Sequence, residues 1–176
     1  MKIGLCGTMS VGKTTLVGAL KKLDQFKNYN FATERSKYLN NLGIPLNTDS
    51  TLKGQTVFLA ERCAELMNEN IITDRTIFDV IAFTQNAKSI ARQDKEIFED
   101  YAKEFLREYD YIFYISPYGL PIEDNGVRET DEHYRDLIDF TITTLIKRYS
   151  HMSKSIEKIS GSTEERIQQI LNITGL

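Results

Sequence analysis

The chain has 176 residues, of which 41% are hydrophobic and 27% are charged. These values are typical of a globular domain with one substantial core, and they exclude the disordered and fibrous classes. The formal net charge of −3 provides no general attraction to nucleic acid or to an anionic membrane.

No apolar run approaches the roughly 18 residues of a membrane-spanning helix, and no signal peptide is evident. The sequence contains only two cysteines, Cys6 and Cys63, which we expect to be free thiols in a reducing compartment. We therefore expect a soluble, cytoplasmic protein that forms a single domain over residues 1–176, because neither repeats nor linker-like stretches interrupt the chain.

Short apolar or β-branched runs predict strands, and apolar residues spaced three and four apart predict helices. The predicted strands are 2–6, 29–33, 70–74, 111–115 and 154–159. The predicted helices are 14–23, a short one that ends near 42, 52–67, 78–86, 95–109, 132–149 and a last one, capped by Ser162 or Thr163, that ends at 171. In helix 52–67, the predicted buried stripe consists of Leu59, Cys63, Leu66 and Met67. Strands that alternate with helices predict a three-layer α/β/α sandwich around a mainly parallel, five-stranded sheet.

Residues 7–14, GTMSVGKT, match the phosphate-binding pattern G-x-x-x-x-G-K-[ST] between a predicted strand and a predicted helix. Its glycines permit a backbone whose N–H groups converge on phosphate oxygens, and the helix adds the positive end of its dipole. Lys13 can neutralise the β- and γ-phosphates, and the Thr14 hydroxyl can reach a bridging Mg²⁺. We therefore predict that ATP and Mg²⁺ are bound here, through Gly7, Thr8, Met9, Ser10, Val11, Gly12, Lys13, Thr14 and Thr15.

Four residues lie at the carboxyl ends of predicted strands: Gly7, Glu34, Asp74 and Ser116. Ligands of open α/β sheets bind at these carboxyl ends, so we expect the four positions to lie near one site. Asp74, which ends the stretch NIITD, is a candidate ligand of the Mg²⁺ held by Thr14. The alternative is that Asp74 only caps the following helix.

The sequence lacks the N-K-x-D and D-x-x-G motifs of GTPases, which favours a small kinase. Such an enzyme needs a group that orients or deprotonates the acceptor hydroxyl, and Glu34 in FATERS is our candidate. Arg35 and Arg75 are candidates for binding the acceptor or its phosphate, although each has an acid beside it with which it can pair. Gln55 can read the edge of a planar base through its amide. The aromatic candidates for the acceptor pocket are Tyr38, Phe58, Phe78 and Phe83, although a residue of this kind taken alone more often belongs to the core.

The polar segment 118–135 contains Gly119, Pro121 and Gly126, residue types that favour turns. Arg128 and Arg135 flank the start of the helix that follows. We expect this segment to form a lid that excludes water and brings Arg128 to the phosphates. The alternative is a solvated loop whose arginines form surface ion pairs.

The phosphate loop, T-E-R after the second strand, T-D-R after the third and the arginine-containing lid together resemble one family. It comprises the small P-loop kinases (AAA-type, nucleoside kinase-like P-loop NTPases) typified by the ribosylnicotinamide kinase domain of the bifunctional NAD-biosynthesis regulator. Deoxynucleoside kinases are looser relatives. The resemblance extends from Met1 to about Arg166. It implies ATP- and Mg²⁺-dependent phosphoryl transfer to a hydroxyl of a nucleoside-like acceptor, either ribosylnicotinamide or a deoxynucleoside. The catalytic residues that it implies by position are Lys13, Glu34, Asp74 and Arg128.

Several alternatives remain open from the sequence. A nucleoside-monophosphate kinase would need additional arginines for the acceptor phosphate, for which Arg35, Arg75 and Arg92 are candidates. A kinase that acts within DNA is disfavoured by the acidic charge balance. A non-catalytic ATP- or GTP-binding switch would retain the loop without phosphoryl transfer. No helix-turn-helix or nucleotidyl-transferase motif is present, so the resemblance implies neither a DNA-reading nor an adenylyl-transfer role. We expect a small nucleoside-like partner and no membrane, disfavour nucleic acid without excluding it, and leave homo-oligomerisation open.

Overall fold

The computed structural model describes residues 1–33, 35–122 and 130–176. In these ranges five strands form one sheet: β1 (Lys2–Cys6), β2 (Asn30–Ala32), β3 (Ile71–Asp74), β4 (Tyr111–Ile115) and β5 (Ser155–Ile159). The strand order is β2-β3-β1-β4-β5, and every neighbouring pair is parallel. The predicted α/β class with a five-stranded parallel sheet is confirmed.

The helices of the described ranges begin and end close to the predicted positions. They are α1 (Lys13–Leu20), α2 (Ser36–Asn41), α3 (Leu52–Glu65), α4 (Ile77–Asn86), α5 (Arg92–Ala102), α6 (Glu132–Tyr149) and α7 (Thr163–Thr174). The prediction of one helix over 95–109 was wrong, because α5 gives way at Lys103 to a tighter 3₁₀ helix that ends at Glu108.

A second expectation that was wrong concerns Met67, which we placed on the buried stripe of α3. The side chain of Met67 is 85% exposed. Helix α3 ends at Glu65, so Met67 lies in the turn beyond it and leaves the helical face that carries Leu59. Leu59 and Leu66 are buried, as the pattern predicts.

Successive residues of each strand face opposite sides of the sheet, so the buried strands supply two cores. Ile71 and Ile112 belong to the core under α3, α4 and α6, whereas their neighbours Ile72 and Phe113 belong to the core under α1 and α7. The sheet therefore lies between two helical layers, which is the predicted three-layer sandwich.

The expected state of the cysteines is confirmed, because both are free, with Cys6 buried and Cys63 half-buried. Within the described ranges, the helices are too short or too polar to cross a bilayer. The organisation of residues 1–176 as a single domain and the lid at 118–135 stay predictions. Residues 123–129 of that segment lie outside the described part of the chain.

Candidate functional site

The phosphate loop connects the end of β1 to the start of α1, and its backbone adopts conformations that favour glycine. Gly7 has φ 148° and Gly12 has φ 83°, and Ser10 also has a positive φ of 60°. A Cβ atom on Gly7 would lie 2.5 Å from the carbonyl oxygen of Ile115, so a side chain is excluded there. Backbone of this kind, placed before a helix N-terminus, is typical of anion-binding nests.

Lys13 lies inside this loop, with only 6% of its surface exposed. Its ammonium group donates to the carbonyl oxygens of Gly7 at 2.5 Å and Thr8 at 2.7 Å. Burial lowers the pKa of Lys13, and the nearby Arg75 lowers it further, while Asp79 and Asp74 act in the opposite direction. The loop therefore contains a desolvated cation that an anionic ligand would stabilise.

The side chains of Thr14 and Asp74 meet beside the loop, where Thr14 Oγ1 donates to Asp74 Oδ2 at 2.5 Å. Asp74 is completely buried, and its Oδ1 has no hydrogen-bond partner among the described residues. A hydroxyl and a carboxylate with a spare oxygen match the ligand preference of Mg²⁺. No group of three or more His, Cys, Asp or Glu side chains suited to a metal occurs in the described ranges. An ion here would therefore complete its shell with phosphate oxygens and water.

The peptide that joins Asp74 to Arg75 is held from both sides. Arg62, from α3, donates Nη1 to the carbonyl oxygen of Asp74 at 2.9 Å. The N–H group of Arg75 donates to the carbonyl oxygen of Leu5 at 3.0 Å. These bonds fix Arg75 at φ 88°, a strained conformation for a residue with a side chain. The Arg75 guanidinium carbon lies 4.9 Å from the ring centroid of Phe83.

A partly open pocket lies beside Arg75, with about 370 Å³ of empty space that includes its mouth toward solvent. Gln55, which is 97% buried, lines this pocket together with Phe58 and Phe83. The complete lining consists of Ser36, Leu46, Asn47, Gln55, Phe58, Arg75, Asp79, Val80 and Phe83. Aromatic rings with a few buried polar groups are typical of a site for a small planar ligand.

Two of the aromatic candidates are absent from the pocket lining. Phe78 is completely buried in the core under α4. Tyr38 is 49% exposed and lies beneath the guanidinium of Arg35, at 4.4 Å. Arg35 itself pairs with Glu61 at 3.0 Å and is absent from the pocket lining.

Asp79, which was not predicted from the sequence, is a completely buried carboxylate that connects the loop to the pocket. Asp79 Oδ1 accepts from the Gly7 N–H at 3.3 Å, and Oδ2 accepts from the N–H and hydroxyl of Thr76, at 2.7 and 2.8 Å. The spacing Thr-x-x-Asp at the start of a helix is a capping-box-like signal that was available in the sequence. Because Asp79 also lines the pocket, the two parts of the site share a wall.

The remaining predicted residues are distributed as follows. Glu34 and Arg128 lie outside the described residues, so their roles stay predictions. Arg135 donates Nη1 to the carbonyl oxygen of Leu120 at 2.7 Å, which ties α6 to the segment before it. Arg92, a candidate for binding an acceptor phosphate, is wrongly placed for it, because its side chain is 93% exposed and pairs with Glu96 on the surface of α5.

The fold and this loop define the class as a P-loop α/β protein. The model of the AAA domain family AAA_28 matches residues 2–166, and the chain belongs to this family. No curated protein sequence matches the chain significantly.

Solved structures share the fold over nearly the whole chain. A deoxyadenosine kinase from M. mycoides, with products dCMP and a flexible dCDP bound, is 18% identical with a TM-score of 0.68, covering 99% of each chain. The NadR protein in complex with NR is 17% identical with a TM-score of 0.77, and the match covers 99% of this chain and 52% of the NadR chain. Thymidylate kinase from Ehrlichia chaffeensis is 16% identical with a TM-score of 0.60, covering 99% of this chain and 98% of that one. The resemblance to small P-loop kinases is therefore confirmed at the level of the fold.

Proposed function

We propose that the protein is an ATP- and Mg²⁺-dependent kinase that transfers the γ-phosphoryl group to a hydroxyl of a small nucleoside-like acceptor. The observation that carries this proposal is the shared wall between the phosphate loop and the aromatic pocket, formed by Asp79. A phosphoryl donor and an acceptor must lie side by side for in-line transfer, and these two sites adjoin.

On the donor side, Lys13 would leave the carbonyl oxygens of Gly7 and Thr8 and bind the β- and γ-phosphates. Thr14 and Asp74 would hold Mg²⁺, which supplies charge neutralisation between the β- and γ-phosphates when it is bound. The spare Oδ1 of Asp74 supports this assignment, because a buried carboxylate oxygen needs a cation or a donor.

On the acceptor side, Gln55 would hydrogen-bond the edge of a planar base that packs against Phe58 and Phe83. The Arg75 guanidinium lines the same pocket, where it would donate hydrogen bonds to polar groups of the acceptor such as sugar hydroxyls. We infer ribosylnicotinamide or a deoxynucleoside as the acceptor. Of the three arginines considered for a monophosphate acceptor, only Arg75 is in the described lining, which favours an acceptor without a phosphate.

In the transfer step, the acceptor oxygen forms a bond to the γ-phosphorus while the bond from that phosphorus to the β,γ-bridging oxygen breaks, releasing ADP. The hydroxyl proton passes to a base, for which we retain Glu34. Arg128 is our candidate for stabilising the charge of the transferring group. Glu34→Gln should lower turnover while nucleotide affinity is retained, and Arg128→Ala should lower turnover similarly.

The decisive experiment measures transfer of labelled γ-phosphate from Mg²⁺–ATP to ribosylnicotinamide, deoxynucleosides, nucleoside monophosphates and DNA, with Lys13→Ala as the blank. Phosphate on one small acceptor, absent in the blank, is the expected result. ATP binding without transfer to any acceptor would contradict the kinase and favour a nucleotide-binding switch.

A further inference from the structure

A buried arginine from the far end of the chain contacts the outer side of the phosphate loop. Arg166, on α7, is only 7% exposed. Its Nη1 donates to the carbonyl oxygen of Val11 at 2.8 Å, across 155 residues of sequence. Its Nε is buried without a hydrogen-bond partner among the described residues. Arg166 lines neither the acceptor pocket nor the metal site, so neither role explains why this cation is buried there.

The position of Arg166 is fixed by the start of α7. Ser162 Oγ accepts from the Glu165 N–H at 3.2 Å, and the Glu165 carboxylate accepts from the Ser162 N–H at 2.7 Å, which completes a capping box. The N–H group of Arg166 donates to the Ser162 carbonyl oxygen at 3.0 Å. The guanidinium is therefore presented to the loop from a rigid support.

The carbonyl oxygen that Arg166 holds belongs to the same peptide unit as the N–H group of Gly12. Gly12 is the N-cap of α1 and has φ 83°. A hydrogen bond from a cation to the carbonyl oxygen polarises the peptide and makes its N–H a stronger donor. The contact is also close, because a Cβ atom on Gly12 would lie 3.2 Å from Arg166 Nη1. Glycine at position 12 thus serves both the loop conformation and the approach of the arginine.

We propose that Arg166 is a positioning residue for the phosphate loop: it fixes the Val11–Gly12 peptide and strengthens the Gly12 N–H as a phosphate donor. The inference rests on the proposed binding of a nucleoside triphosphate by the loop, although not on phosphoryl transfer. Affinity for the donor nucleotide is therefore linked to the docking of α7, an element with no other described role at the site.

The test compares Arg166→Met and Arg166→Lys with Ile170→Val, a conservative core change one turn further along the same helix that leaves the hydrogen bond from Arg166 to Val11 in place. Calorimetric titration with Mg²⁺–ATP should show that Arg166→Met weakens binding by about 10- to 50-fold, the scale of one lost charge-assisted hydrogen bond. Arg166→Lys, which keeps the charge and one donor, should recover part of the loss. Ile170→Val should bind as the wild type does, which separates positioning from general destabilisation.

A second measurement does not need a ligand. The amide proton of Gly12 should resonate upfield in Arg166→Met relative to the wild type, because its peptide is less polarised, and should be unchanged in Ile170→Val. Binding by Arg166→Met that equals the wild type, or an unchanged Gly12 resonance, would overturn the proposal. If the wild type binds ATP but transfers no phosphate, only the proposed kinase activity is overturned. If the wild type binds no triphosphate, both the kinase activity and the positioning role of Arg166 are overturned.

Discussion

Thr14 and Asp74 are 60 residues apart in the chain, yet Thr14 Oγ1 lies 2.5 Å from Asp74 Oδ2. Parallel pairing of β1 with β3 places Leu5 opposite Asp74 and so brings the end of β3 next to the loop that follows β1. The hydroxyl and the carboxylate each belong to a rigid element, a helix N-terminus and a strand end. A divalent cation would therefore meet two pre-positioned oxygen ligands, which reduces the entropy lost on binding.

Asp74→Asn should raise the Mg²⁺ concentration that supports half-maximal ATP binding and transfer by about 10-fold or more, because a neutral amide is a poor ligand for a hard cation. Affinity for ATP in the absence of metal should change by less than about 3-fold, since Lys13 and the loop backbone remain. Titration with Mg²⁺ at fixed ATP measures the first value, and calorimetry in chelator measures the second. The control is Asp94→Asn, on the exposed face of α5, which should leave the Mg²⁺ requirement unchanged. An unchanged Mg²⁺ requirement in Asp74→Asn would contradict the assignment of Asp74 as a metal ligand.

The buried ammonium of Lys13 predicts how nucleotide affinity depends on pH. Burial lowers the pKa of Lys13, and only the protonated form neutralises phosphate. As pH rises through this lowered pKa, affinity should fall by up to about 10-fold per pH unit, and binding should take up a proton. Calorimetry of ATP binding in two buffers with different ionisation enthalpies measures that uptake at alkaline pH. Affinity that stays constant, with no proton uptake, would show that Lys13 remains charged throughout the range.

Glu99 connects three helices, which predicts a large stability cost for its removal. Its Oε1 accepts from Arg148 Nη1 and from the Tyr149 hydroxyl, each at 2.7 Å, and its Oε2 accepts from Gln85 Nε2 at 2.7 Å. Glu99→Ala should lower the free energy of unfolding by about 2 to 3 kcal/mol, because it leaves these donors without their acceptor. Glu96→Ala, whose partner Arg92 is exposed, should cost less than about 1 kcal/mol. Urea unfolding of both variants provides the comparison, and equal costs would contradict the role assigned to Glu99.

The strands and the phosphate loop could be predicted from sequence because their signals are local. The run YIFYI and the pattern GTMSVGKT each carry the information within a few residues, and β4 and the loop lie where they were expected. The position of Asp74 at a strand end likewise predicted that it lies beside the loop, where it contacts Thr14. The predicted burial of Met67 was wrong because α3 ends at Glu65, two residues before it. Helix ends are uncertain by one or two residues from sequence, and here that difference decides whether the side chain lies on the helical face.

The pairs that complete the site could not be predicted from a single sequence. Arg62 contacts Asp74, and Arg166 contacts Val11, through side chains that reach main-chain carbonyl oxygens. A carbonyl oxygen is present at every residue, so no partner residue type marks such a contact in the sequence. Burial of these arginines depends on how α3 and α7 pack on the sheet, which is a tertiary property.

Glu65 predicts a decrease in stability with rising pH. Burial raises the pKa of Glu65 to about 7, even though Arg62 Nη2 donates to its Oε1 at 2.5 Å, and Oε2 is buried without a partner among the described residues. A folded-state pKa above the unfolded value stabilises the fold below the unfolded pKa, and this stabilisation is lost as pH rises through about 7. We expect a loss of about 1 to 2 kcal/mol between about pH 5 and pH 8, reduced by partial solvent screening. In Glu65→Gln this slope should disappear. The control Glu104→Gln changes an exposed side chain and should keep the slope. Urea unfolding of the three proteins across the pH range measures it. A slope that persists in Glu65→Gln would show that another group is responsible.

The strained backbone of Arg75 predicts a conflict between stability and function that two substitutions can separate. Arg75 adopts φ 88°, held by the bonds of its peptide to Arg62 and Leu5. Glycine accepts this conformation, whereas alanine carries the same steric cost as arginine. Both variants lose the guanidinium and its contact with Phe83, so that loss cancels when they are compared. Arg75→Gly should therefore be about 1 kcal/mol more stable than Arg75→Ala in urea unfolding.

Both variants should weaken acceptor binding equally, by about 10-fold or more in the acceptor KM, because each removes the same cation from the pocket. Equal stabilities would show that the strain is relieved in solution, and an acceptor KM that differs between the two variants would show that backbone shape, rather than charge, governs the pocket.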